Sequence, residues 1–272
     1  MRIALVWFWE RASEIMPFWR DGLRAALEFI EKDHEVVWFL DKRVPLRKEQ
    51  FDFILLWGDS NCPFFPEFEK YEAKKGICLS SDNALNIDNL KKLNVTFVES
   101  QPVYDKVSPH VRTIKAFGTD TEFFTPDPSI KKDIKYFYPA TFSPWKRQSA
   151  IAHLGKDLLC VGTLQPDGQK ELDAVVESGC HVEVGYFPAE KIRDYYNRTR
   201  FVEIPAIHGS ERTVLETMSM DTWPEVNKEN MKANYYIKEF LVSGLKCPRD
   251  FVVKNYSAQI YANQLLKGMS YD

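Results

Sequence analysis

Short apolar runs alternate along this chain with longer stretches in which apolar residues recur at helical spacing. Arg2–Phe8 predicts a buried strand, and Phe18, Trp19, Leu23, Ala26, Leu27 and Ile30 then fall on one stripe of a helix. His34–Leu40 predicts a second strand, followed by a basic turn. Phe51–Gly58 (FDFILLWG) predicts a third, and its near-continuous apolar character is that of a parallel strand covered on both faces. Gly76–Ser80, Val95–Glu99 and Arg112–Phe117 continue the series. The first half therefore reads as a small β/α sheet.

The pattern stops at Gly118–Asp133, where GTDTEFFTPDPSIKKD has two prolines, a charge cluster and no periodicity, and this stretch reads as a linker. A second series follows, with strands at Lys135–Pro139, Leu158–Gly162, His181–Tyr186 and Arg200–Pro205 and helices near Arg147–Leu154, Ala189–Asn197 and Glu211–Met220. Two further helical stretches, NKENMKANYYIKEFLVSG and DFVVKNYSAQIYANQLLKGM, are separated by Gly244 and Pro248 as stop and restart signals. Strands that feed into helices imply right-handed parallel crossovers in each half. The expected fold class is α/β, with two Rossmann-like domains facing across a ligand-binding cleft.

Composition narrows the function classes. The chain has 272 residues with 36 basic against 39 acidic, a net charge of −3, so no global basic field points to nucleic acid or an anionic membrane. No apolar run approaches the ~20 residues of a spanning helix, and the opening apolar stretch is too early and too brief for a signal peptide, which makes the cytoplasm the expected location. The five cysteines form no C-x-x-C pair and the five histidines no H-E-x-x-H, so buried thiols are expected and neither a disulfide framework nor a metal site. Neither G-x-G-x-x-G nor a P-loop is present.

Two stretches could carry chemistry. In PAIHGSERTVLETMSM (Pro205–Met220) a strand end, a glycine turn, Ser210 as an N-cap and an amphipathic helix follow in order. The helix amino end would accept a phosphate, and Glu216, about a turn and a half further in, could accept hydrogen bonds from a ribose diol. The plainer alternative is a capped surface helix in which Glu211 favours the dipole and Glu216 is solvated. In YFYPATFSPWKRQ (Tyr136–Gln148) a strand ends in a turn and presents Lys146 and Arg147 at a helix start. They could neutralise a diphosphate leaving group, or they could be a solvated pair.

Together these stretches resemble the retaining glycosyltransferases of family 4, which have the GT-B fold. AFGTDTEFFTP (Ala116–Pro126) is similar to the segment that closes the family's first domain, SPWKRQ (Ser143–Gln148) to its phosphate-contacting loop, and LLCVGT (Leu158–Thr163) to its "lviVG-x-G" strand. VGYFPAEKIRDYYNRTRFVEIPA and ERTVLETMSM resemble the run and the "lEAM" helix that follow. NYSAQIYANQLLKG resembles the closing helix, which in the family crosses back to the first domain. The resemblance implies an acceptor domain over residues 1–127, shorter than usual, a donor domain over 128–254, and a returning helix over 255–272.

Carried over by position, Glu216 corresponds to the ribose-holding second glutamate of E-x7-E, and Lys146 to the lysine on the donor diphosphate. Gly209, Ser210, Glu211, Arg212 and Thr213 form the donor-binding helix start. The first glutamate of the motif falls on His208, a departure at the position that contacts the donor sugar. The family's arginine falls on Ala140 or Thr141, with Arg147 as a substitute. The loop Trp7–Pro17 lacks the family's glycines. Tyr186 and Phe187 stand where the family places its nucleobase, or belong to the core. Trp57, Gly58 and Asp59 end the third strand on the acceptor side, or form a plain turn. The implied activity is sugar transfer from a UDP- or GDP-sugar to an unknown acceptor, with retention and without a metal or other cofactor. No nucleic-acid partner is expected, and the faintly basic first helix (Arg20, Arg24) allows weak peripheral membrane contact. The alternatives are a nucleotide-sugar-binding protein that has lost turnover and, less well matched, an epimerase or phosphorylase of the same fold.

Overall fold

A computed structural model describes residues 1–9, 20–41, 50–68, 70–82 and 84–270. Phe18, Trp19, most of the Trp7–Pro17 loop and the basic turn after the second strand lie outside the described residues. The chain divides into two units, each built on one all-parallel sheet, which is the architecture of two Rossmann-like domains. It passes from the first unit to the second after Phe117 and returns after Ser257.

The first sheet comprises β1 (Arg2–Trp9), β2 (Glu35–Asp41), β3 (Phe53–Gly58), β4 (Lys74–Leu79), β5 (Val95–Val98) and β6 (Thr113–Lys115), in the order β2-β1-β3-β4-β5-β6. Successive residues of β1 and β3 serve opposite faces, which is why these strands read as unbroken apolar runs. Ile3, Leu5, Phe53 and Leu55 join one core with Leu23, Leu27 and Ile30 of helix Gly22–Ile30 and with Tyr261, Ala262 and Leu265 of helix Ala258–Met269. Ala4, Val6, Ile54 and Leu56 join the other with Leu90, Val103 and Val107. Fully buried leucines and isoleucines such as Leu265 and Ile54 each contribute about 1.5–3 kcal/mol. The C-terminal helix is thus part of the first unit, as the resemblance implies.

The second sheet comprises β7 (Ile134–Pro139), β8 (Leu158–Gly162), β9 (His181–Val184), β10 (Thr199–Ile204) and β11 (Pro224–Val226), in the order β11-β10-β7-β8-β9. The chain runs outward from β7 through β8 to β9, then restarts on the other side of β7 with β10. The carboxyl ends of β7 and β10 therefore flank a topological switch point, the place where ligands bind in open α/β sheets.

Three expectations are refined or corrected. The stretch Gly118–Asp133, read as a linker, does follow the change of unit, but its first part is packed: Thr119, Asp120, Thr121 and Phe124 are buried in the second unit, while most residues from Thr125 onward are exposed. Arg249 donates to the carbonyls of Phe124 and Ser219 at 2.9 and 2.6 Å and to Thr121 O at 3.0 Å, which fastens that stretch to the end of helix Glu211–Ser219. The helix expected at Arg147–Leu154 is a 3-10 segment, Gln148–Asp157, interrupted by Gly155. The last helical stretch is two helices, Pro248–Tyr256 and Ala258–Met269, with Ser257 extended between them.

Candidate functional site

The loops after β7 and β10 meet at the switch point of the second unit. The β7 loop is held down on β8 by hydrogen bonds from Ala140 N to Val161 O (3.0 Å) and from Phe142 N to Thr163 O (2.7 Å). Gln148 Nε2 donates to Thr141 O at 2.9 Å, and Tyr138 Oη to Lys146 O at 3.2 Å. The β10 loop is tied to it through Ile207 N and Trp145 O at 3.1 Å. Two buried or half-buried asparagines fix its other side: Asn227 Nδ2 donates to Pro205 O (2.9 Å), and Asn230 Nδ2 to Ala206 O (3.1 Å) and Gly209 O (2.8 Å).

These tethers place Lys146 Nζ 2.8 Å from Ser210 Oγ, at the amino end of helix Glu211–Ser219. Ser210 does not act as the expected side-chain cap. Its backbone is left-handed (φ 73°), its hydroxyl makes no capping bond, and it accepts from Lys146 instead. The first intrahelical bond runs from Val214 N to Ser210 C=O, so the amides of Glu211, Arg212 and Thr213 have no helical partner upstream. Gly209, at φ +69°, makes the turn possible, and a Cβ there would stand 3.0 Å from Lys146 Nζ. Burial pushes the Lys146 ammonium down to about 8; Glu211 opposes that shift, while Arg212 and Lys232 add to it. An ammonium beside the amino end of a helix is suited to an anion with more than one charge.

Glu216 is only 5% exposed. Its Oε1 lies 3.2 Å from Arg212 Nε, and its Oε2 accepts from Tyr196 Oη at 3.0 Å. Burial raises its pKa against the opposing pull of Arg212 and Tyr196. A diol reaching Glu216 would share a carboxylate already oriented by two neighbours.

The other residues singled out from the sequence are dispersed. Arg147 has a left-handed backbone (φ 54°), and its guanidinium lies 3.5 Å from Glu229 Oε2. His208 is exposed on the β10 loop. Tyr186 is exposed beyond β9, and the neighbouring Phe187 ring is covered by Lys191 Nζ at 4.5 Å from its centroid. Trp57, Gly58 and Asp59 belong to the first unit, at the carboxyl end of β3. Trp57 packs on Trp7 with ring centroids 4.5 Å apart, and Asp59 Oδ1 accepts from Asn61 N at 2.8 Å to shape a turn. Sequence reasoning missed Tyr196, Asn227, Asn230 and Lys232. Asn230 had a legible signal as the N-cap of helix Met231–Ser243; the others had none. Among the described residues no group of three or more His, Cys, Asp or Glu side chains could hold a metal, and no helix is long and apolar enough to cross a membrane.

No known family profile and no curated protein matches the chain. Solved structures do. AviGT4, a glycosyltransferase involved in avilamycin A biosynthesis, superposes with a TM-score of 0.61 at 13% identity over 99% of this chain and 97% of its own. An alpha-glucosyltransferase in complex with UDP and a 13-mer DNA containing a HMU base gives 0.60 at 12% identity, over all of both chains. The chain has the GT-B fold. A UDP-N-acetylglucosamine 2-epimerase also matches, with a TM-score of 0.53 at 10% identity over 100% of this chain and 98% of its own. The fold thus accommodates more than one reaction, and the choice between them rests on the site.

Proposed function

We propose that the protein transfers a sugar from a nucleotide-sugar donor, a UDP- or GDP-sugar, to an acceptor with retention at the anomeric carbon, as in glycosyltransferase family 4. The observation that carries this reading is the meeting of Lys146 Nζ with Ser210 Oγ at the open end of helix Glu211–Ser219. In such a transfer the bond between the anomeric carbon and the diphosphate oxygen breaks, and its electron pair leaves with the nucleoside diphosphate. Lys146 and the amides of Glu211, Arg212 and Thr213 are placed to stabilise that charge as it grows, so they act more strongly in the transition state than in the ground state. This charge needs no metal to balance it. Glu216 holds the ribose, His208 faces the donor sugar, Arg147 lends charge at the rim, and Tyr186 and Phe187 border the base. Trp57, Gly58 and Asp59 serve the acceptor.

Two of the solved structures it resembles are named as transferases, one of them with UDP bound, which favours turnover over a silent binder. Removing one such donor of charge typically costs about 2.7–4 kcal/mol, roughly a hundredfold to a thousandfold in rate. Lys146→Ala is expected to abolish hydrolysis or transfer from whichever UDP- or GDP-sugar the wild type turns over, with circular dichroism unchanged. Undiminished turnover in the folded variant would refute the assignment.

A further inference from the structure

We propose that Lys232 is a second donor-phosphate residue, gripping the diphosphate jointly with Lys146 beside the Glu211 carboxylate. The inference rests on the donor reading above and extends it to a residue on a different helix.

Placement comes first. Lys232 is the second residue of helix Met231–Ser243, whose N-cap Asn230 accepts from Ala233 N at 3.1 Å. The amide of the same Asn230 holds the carbonyls of Ala206 and Gly209. One side chain thus caps the helix and pins the β10 loop, which brings the first turn of Met231–Ser243 beside the first turn of Glu211–Ser219. Two helix amino ends, each attractive to anions, are thereby set next to Lys146.

The charges then form a connected group. Lys232 Nζ lies 3.9 Å from Glu211 Oε1, within ion-pair range but beyond a hydrogen bond. Glu211 Oε2 and Lys146 Nζ both lie within 4 Å of the point where a Cβ on Gly209 would stand. Glu211 is 8% exposed, and its Oε1 is buried with no hydrogen-bond partner. The nearby Lys232 ammonium compensates a carboxylate oxygen so placed, and the same carboxylate favours the charged form of Lys146. Arg212 and Lys232 each disfavour the charged form of Lys146, and Glu211 opposes them.

Two ammonium groups coupled electrostatically to one buried carboxylate suit an anion that spans both, and a diphosphate has two phosphates to offer. Glu211 is then a positioning residue, and Lys232 a ligand-touching one.

The test is calorimetry on the full chain with UDP, GDP and ADP and with their nucleosides, over a range of pH. Lys232→Ala is expected to weaken the diphosphate that the wild type binds by about tenfold, with the matching nucleoside unaffected, and Lys232→Arg to restore most of the loss. Because Lys232 helps to hold the Lys146 proton affinity down, the pH at which diphosphate binding falls off should move upward in Lys232→Ala. A merely structural ion pair would change stability but neither the diphosphate-to-nucleoside ratio nor that midpoint. Unchanged diphosphate affinity in folded Lys232→Ala, with affinity lost in Lys146→Ala, overturns the role of Lys232 alone. If Lys232→Ala does not fold, Lys232→Gln is read in the same way. A wild type that binds none of the three diphosphates overturns the donor reading and this inference together.

Discussion

Gly162→Ala puts the route from packing to site geometry at risk in a single methyl group. Gly162 ends β8 directly beneath the loop that carries Lys146. A Cβ there would stand 2.1 Å from Ala140 O, 2.5 Å from Ala140 C and 2.9 Å from Thr141 N. All three are backbone atoms, so no rotamer change relieves the overlap. Ordinary contact at ~3.5 Å requires the backbone at Ala140 and Thr141 to retreat by about 1 Å. That retreat stretches the bonds from Ala140 N to Val161 O and from Phe142 N to Thr163 O. Each costs about 1 kcal/mol when lost, and overpacking adds about 1–3 kcal/mol. The expected destabilisation is therefore about 3–5 kcal/mol, a large share of the 5–15 kcal/mol of a typical domain. Urea unfolding followed by circular dichroism measures it, with the transition of the second unit fitted separately because a two-unit chain need not unfold in one step. Nucleoside diphosphate affinity should fall in the same variant, since the displaced loop carries Lys146. A loss below about 1 kcal/mol would mean that the loop moves freely over β8, and the account of how Lys146 is positioned would be wrong.

Two further predictions follow from the same site. Lys146 is held near 8, so diphosphate affinity should fall as pH rises through that value, when the ammonium is lost. Between about 8 and the ordinary lysine value the unfolded chain carries a proton that the folded one has released, so unfolding free energy should rise with pH over the window in which affinity falls. Calorimetry and urea titrations at matched pH check both trends, and affinity that stays flat across the window refutes the role of Lys146. Tyr196→Phe removes the donor to Glu216 Oε2 and leaves a buried carboxylate oxygen unmatched, at a cost of about 1–3 kcal/mol in urea unfolding. A change within error would show that Arg212 alone suffices to hold Glu216.

Burial on both faces explains why so much of the fold could be read from the chain. Where a strand is covered above and below, as β1, β3 and β8 are, its run of apolar residues is hard to mistake. The strand β11 escaped notice because it is three residues long with Glu225 exposed, leaving no run to see. The stretch Gly118–Asp133 read as a linker because it has no periodicity, and that absence hid the packing of its first part. Arg249 reaches from a distant helix to take the carbonyls of Thr121 and Phe124, and sequence patterns carry no trace of such long-range contacts.

The site divides along the same line. Lys146, Ser210 and Glu216 each stand out locally, yet the contact between Lys146 and Ser210 joins residues 64 positions apart and exists only because β7 and β10 are neighbours in the sheet. Lys146 and Arg147 are adjacent in the sequence, but their side chains have different partners. One ammonium turns to the helix end, and the guanidinium lies near Glu229. The cation that does act on Lys146, along with Arg212, is Lys232, placed by an asparagine that caps its helix and holds the β10 loop. In the proposed donor site, the charges offered to a diphosphate depend on the packing of two helices through one buried asparagine amide rather than on the spacing of basic residues alone. Substitutions at Asn230 should accordingly weaken diphosphate binding without removing a charge.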